Sequence, residues 1–201
     1  MMIKKNCVVR NFRFDLIYSD SNLDRNFGHR NKYSNDNIIN TYSSHGGPVY
    51  SVDMHPSSQE GLIDHSDLFL SCGADWTTRL WSTSRVSEPL CVFDQSNDYI
   101  YSCKWHPINP SVFVTGDGCG YIDYWDLNRD KENQVFRYEI GFPVNKLCWS
   151  QDGKKLAAGD SDGKISIFNC DKDVYSIRQE EFYKFDKVVA SLGERSGDVE
   201  E

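Results

Sequence analysis

The run Leu68–Trp81 recurs without a gap as Val112–Trp125, 44 positions later, and again as Lys155–Phe168, a further 43 positions on. Each copy reads as a strand, a turn rich in Gly and Asp, and a second strand ending on a large aromatic residue. Upstream of each copy lies another strand of matching character: Val49–Pro56, Ile100–Pro107 and Val144–Ser150. Alternation along these strands puts Val52, Cys103 and Leu147 on one face, with their i±2 neighbours on the same side. Downstream of the first two copies, Pro89–Asp94 and Gln134–Ile140 are candidates for a fourth, outer strand.

Four short strands per period, closing near a Trp-Asp pair, is the pattern of a WD40 propeller blade. The fold expected is therefore all-β, a partial WD40 β-propeller of about three four-stranded blades with a short C-terminal helix. The blades span about 45–94, 95–140 and 141–178, within a repeat region 38–178. Residues 1–37, rich in Asn, Asp, Arg and Ser, read as an irregular N-terminal segment in which only Cys7–Tyr18 has strand character. Residues 179–201 break the repeat. There Phe182, Phe185, Val188, Val189 and Leu192 fall at helical spacing, Gly193 and Gly197 are expected to stop the helix, and an acidic tail follows.

Composition narrows the function classes. The 201 residues are 39% hydrophobic and 26% charged, with a mean hydropathy of -0.59, as in a water-soluble globular chain. No apolar run approaches the roughly 20 residues of a spanning helix, and no apolar stretch follows the basic start, so neither a membrane partner nor export is expected. A net charge of -8 argues against affinity gained by neutralising phosphates, hence against a nucleic-acid partner. Seven cysteines without any C-x-x-C pair suit reduced core thiols in a cytosolic compartment. The 13% aromatic content leans toward strands.

The first blade supplies His45, Ser71, Asp75 and Trp81 in the order of a structural hydrogen-bonded network, because a buried indole N–H and a buried carboxylate both need partners. A His/Ser/Asp set also invites a hydrolase reading with Ser71 as nucleophile. Against it, Ser71 lacks a G-x-S-x-G elbow, and the set decays along the repeat: the second blade has Cys119 in place of the Asp, the third has Ala158 and Phe168. Gly116–Gly120 resembles a phosphate loop only in its glycines, since no Lys-Ser/Thr and no helix follow. His45, His55 and His65 match no metal spacing. No catalytic residue, metal, cofactor or small-molecule substrate is expected. Trp76, at the exposed centre of its turn, is a candidate partner contact, and Tyr99 and Tyr121 on the same rim are weaker ones. The C-terminal helix either docks on the propeller or binds a partner.

The residues carry a more specific likeness. His45–Val49, Leu68–Ser71 running into Asp75–Ser82, Asp98–Tyr101, Trp105–Pro107 followed by Pro110 and Phe113, Ala158–Gly163 followed by Ile165, and the tail Glu181–Phe185 together resemble the last repeats of the dynein intermediate chain. The likeness covers about 38–201 and is closer to cytoplasmic than to axonemal members. It implies a non-catalytic scaffold subunit of the dynein motor complex in microtubule-based transport, binding the dynein heavy chain beside other dynein subunits, in the cytoplasm at the cytoskeleton. The family's N-terminal region, which binds light chains and dynactin, has no counterpart here, so those partners are not carried over. An adaptor in another multiprotein assembly is the alternative. Three blades are fewer than the four to eight that close a ring. The chain is accordingly expected to be the C-terminal part of a longer propeller subunit, or to need a partner over its open side.

Overall fold

Short apolar runs punctuated by Gly, Asp and Pro turn residues become antiparallel sheets in a computed structural model, which describes residues 26–30, 38–56 and 64–195. The first sheet orders β3 (Val49–Met54), β4 (Leu68–Gly73), β5 (Thr78–Ser82) and β6 (Cys91–Phe93) side by side. The second repeats this with β7 (Ile100–Trp105), β8 (Val112–Asp117), β9 (Tyr121–Asp126) and β10 (Phe136–Glu139). The third has only three strands, β11 (Val144–Trp149), β12 (Lys155–Asp160) and β13 (Ile165–Asn169). Among the described residues these are the three sheets of a partial WD40 propeller. The proposed tail and Cys7–Tyr18 lie outside them.

A two-stranded sheet precedes the three, formed by β1 (Asn26–Arg30) and β2 (Ile38–Ser43). The first of these strands corrects the expectation of an irregular segment up to residue 37. Its sequence, Asn-Phe-Gly-His-Arg, has no apolar alternation, so pairing with β2 supplies what propensity does not. Tyr42 of β2 is buried and stands edge-on to Phe69 and Trp81, with ring centroids 5.1 and 5.5 Å away.

Apolar contact joins each sheet to the next. Leu70, Cys72, Leu80, Cys103, Trp105 and Phe113 form a common core between the first and second sheets. Val114, Ile122, Val144, Leu147, Leu156 and Ala158 do so between the second and third. Each fully buried Leu or Phe contributes roughly 1.5–3 kcal/mol. The first strands also touch through polar groups: Ser102 Oγ accepts the Leu147 N–H at 3.2 Å, and Asp53 Oδ2 accepts the Trp105 N–H at 2.8 Å.

Helix α1 (Lys172–Tyr175) leads into α2 (Gln179–Arg195), whose apolar stripe packs across the first two sheets. Phe185 and Leu192 are buried there, and Val188 and Val189 pack beside them. The helix does not stop at Gly193 as expected. It runs on to Arg195, and Arg85 Nη1 donates to the Gly193 carbonyl at 2.7 Å, a tertiary bond that offsets the roughly 1 kcal/mol helix penalty of glycine.

Candidate functional site

The turn between β4 and β5 and the loop leading into β3 meet at one end of the first sheet, and there the four predicted network residues come together. Trp81 Nε1 donates to Ser71 Oγ at 2.8 Å, Ser71 Oγ lies 2.7 Å from His45 Nε2, and His45 Nδ1 lies 2.9 Å from Asp75 Oδ2. A carboxylate only accepts, so Nδ1 carries the proton toward Asp75. Nε2 can then accept the Ser71 hydroxyl, which in turn accepts the indole N–H. Every polar side-chain atom of this four-residue series is satisfied in one direction.

Asp75 is the hub. Its oxygens also accept the Gly46 N–H at 2.9 Å and the Thr77 hydroxyl at 2.9 Å, and Arg79 Nη2 lies 3.3 Å away. Burial alone would raise its carboxyl, but the hydrogen bonds from His45, Gly46 and Thr77 and the neighbouring His45 outweigh it and hold the group well below the usual carboxylate range. The result pins loop to turn. Ser71, by contrast with a catalytic serine, has no exposed surface.

In the second sheet the tie is made differently from the sequence expectation. Cys119, at the position of Asp75, is exposed. The carboxylate has moved two residues back, to Asp117, whose Oδ2 accepts the Ser96 hydroxyl at 3.0 Å and whose Oδ1 accepts the Tyr121 N–H at 2.8 Å. Trp125 Nε1 donates to Thr115 Oγ1 at 3.2 Å. In the third sheet Asp160, at the same register as Asp117, accepts the Lys164 N–H at 2.8 Å. Aligning Gly73 with Asp117 and Asp160 is the signal in the sequence that would have found this pair.

The turn after each carboxylate needs a left-handed residue. Two repeats supply glycine, Gly120 at φ +88° and Gly163 at φ +81°, while the first places Trp76 there at φ +66°. Its indole is 49% exposed. Tyr99 is 42% exposed on the same rim, whereas Tyr121 is half-buried under Arg137, whose guanidinium carbon sits 4.9 Å from the ring centroid. The three predicted contacts therefore share one end of the sheets.

The histidines separate. His45 belongs to the network just described, while His55 and His65 lie at the other end, their ring centroids 5.9 Å apart. Both pack on Phe185 of α2, His55 stacked at 5.5 Å and His65 edge-on at 4.9 Å. Burial pushes the His55 imidazole down to about 4, against hydrogen bonds to the Pro110 and Pro56 carbonyls.

Comparison with known proteins places these features. A family model described as the dynein axonemal intermediate chain 3 WD40 domain matches residues 3–169. The cytoplasmic dynein 1 intermediate chain of Drosophila melanogaster is 28% identical over 157 residues, which is 77% of this chain and 23% of that protein. The cytoplasmic dynein 2 intermediate chain 2 of Mus musculus is 34% identical over 132 residues, 64% of this chain and 23% of that protein. The chain thus spans under a quarter of either relative. The family match also includes most of residues 1–37, beyond the 38–201 over which the sequence resemblance runs.

Proposed function

The chain belongs to the dynein intermediate chain WD40 family, and from that premise we propose that it is a non-catalytic scaffold subunit of the dynein motor complex, binding the dynein heavy chain in microtubule-based transport. The family match across residues 3–169 carries this reading. Two cytoplasmic dynein intermediate chains among its relatives support a cytoplasmic, cytoskeleton-associated place of action. The burial of Ser71 supports the non-catalytic part: a nucleophile must come within roughly 3–3.5 Å of its substrate, and this hydroxyl is enclosed by Trp81 and His45.

Trp76, with Tyr99 and Tyr121 in support, is the partner-contact set of this proposal. A bulky indole held in a left-handed turn costs about 1–2 kcal/mol of backbone energy, and burial in a partner would recover apolar area from it. Co-purification of the tagged full chain with dynein heavy chain tests the assignment. The native chain recovers heavy chain, and Trp76→Ala recovers less while remaining folded. Absence of heavy chain from a stable complex with other proteins would instead favour an adaptor in a different assembly.

A further inference from the structure

Each first strand carries one extra residue at the same place. In β3 the register passes from Val49 opposite Gly73 to Ser51 opposite Cys72; in β7, from Ile100 opposite Asp117 to Ser102 opposite Gly116. In β11 it passes from Val144 opposite Asp160 to Lys146 opposite Gly159. The residues left over are Tyr50, Tyr101 and Asn145. A bulge bends its strand and re-aims the side chain it frees, and in two adjacent sheets that side chain is a phenol.

The two bulge rings meet. Tyr50 and Tyr101 have centroids 5.4 Å apart, and Tyr99 joins them at 6.2 Å from Tyr50 and 6.4 Å from Tyr101. Packed this closely, Tyr50 and Tyr99 still keep 40% and 42% of their surface exposed. Tyr50 and Tyr101 bridge the seam between the first and second sheets from their strands, while Asp98 and Tyr99 come from the loop that leads into β7.

Its border is acidic. Asp98 accepts the Tyr99 N–H at 2.7 Å, and no ion pair engages it among the described residues. Asp117 lies opposite Ile100 at the bulge, and desolvation with the Asp117 and Asp98 charges raises the Cys119 thiol beside them against the opposing charge of Arg137. Three basic side chains of this rim already have carboxylate partners: Arg79 with Asp75, Arg137 with Asp123 at 2.7 Å, and Lys164 with Asp162 at 2.5 Å. Electron-rich ring faces beside uncompensated carboxylate attract cations and repel anions.

We propose that Tyr50, Tyr99 and Tyr101, with Asp98, form a docking site for arginine- or lysine-bearing segments of a protein partner, the cation resting on a tyrosine face and bonding to Asp98. This rests on reading the chain as a binding subunit and specifies the chemistry of what it binds. The test involves no heavy chain, so the two readings fail separately.

A labelled short peptide of alternating arginine and glycine is titrated with the full chain at about 0.15 M salt and followed by fluorescence anisotropy, with a glutamate–glycine peptide as control. The basic peptide binds and the acidic one does not. The double variant Tyr50→Leu, Tyr99→Leu keeps the charge but removes two ring faces, and weakens binding about fivefold or more. Tyr99→Phe keeps a ring face and stays within about twofold. Asp98→Asn weakens binding, whereas Asp130→Asn, which alters an acid in the β9–β10 loop, leaves it unchanged. Circular dichroism establishes that each variant is folded. Undiminished binding by the leucine variant, or equal losses from Asp98→Asn and Asp130→Asn, would mean that net charge alone draws the peptide, and would overturn the proposal.

Discussion

At the centre of the second strand of the first sheet, Ser71 joins Trp81 to His45; the counterpart in the third sheet is Ala158, which pairs across from Ser166 and lies among Leu147, Leu156 and Phe168. The difference extends to burial. All six residues of β4 are buried, because β2 and the second sheet contribute to covering it. On β13, Ile165 and Ile167 are 76% and 67% exposed, yet of their repeat counterparts in the second sheet Ile122 is buried and Tyr124 partly buried against the third sheet. One repeat position therefore takes its burial from the neighbouring element and not from its own residue type. Where both faces are covered, a polar network can be enclosed and becomes costly to break; where one is open, apolar contact on the other face does the holding.

The largest separation between the two sheets comes from their aromatic ends. Trp81→Ala removes a fully buried indole and its hydrogen bond, and is expected to cost about 3–5 kcal/mol in urea unfolding. Phe168→Ala in the half-covered third sheet costs about 1–2 kcal/mol. Equal costs would end the distinction.

Acid sharpens it next. His55, beside the first sheet, has its pKa lowered from 6.5 to about 4. The unfolded chain binds this proton first, so stability is complete above about pH 6.5 and is lost as pH falls toward 4, by up to about 3 kcal/mol. Below the ordinary carboxylate value of 3.8, Asp75 adds a loss of the same sign, because its pKa is depressed in the folded state. Urea midpoints at descending pH follow the first loss, and His55→Gln flattens the profile. Since His55 and His65 pack on Phe185, proteolytic exposure of α2 should rise over the same pH window.

Within the networks, Ser71→Ala strands both the indole N–H and His45 Nε2, for about 2 kcal/mol. Thr115→Val in the second sheet strands one N–H held at 3.2 Å, for about 1 kcal/mol. Trp76→Gly works in the opposite direction. It relieves the left-handed strain and raises the thermal midpoint by the equivalent of about 1 kcal/mol. Ile167→Lys, on the open face, should stay within about 0.5 kcal/mol of the native chain.

The three β-turn-β copies were legible because Gly and Asp turns and terminal aromatics recur at fixed offsets, and they correspond to β4–β5, β8–β9 and β12–β13. The outer strands β6 and β10 fell inside the runs read for them. The bulges were not legible: alternation placed Val52, Cys103 and Leu147 together, but Tyr50, Tyr101 and Asn145 interrupt the i±2 pattern for a reason that lies in pairing across the sheet. The Ser96–Asp117 tie was hidden in the same way, since matching turn to turn set Cys119 against Asp75. Strand β1 left no apolar signature, and the continuation of α2 through Gly193 depends on Arg85, which is distant in the chain.

The unequal shelter of the five tryptophans also gives the chain an optical property. Trp81 reports from the first sheet, Trp105 and Trp125 from the second and Trp149 from the third, with Trp81, Trp105 and Trp125 buried and Trp149 partly so. Trp76 stands about half in water. Its emission lies to the red of the others, and single-tryptophan variants retaining each in turn would resolve the order in which the sheets come apart. A partner that covers the β4–β5 turn would reveal itself, without any label, as a blue shift in Trp76 alone.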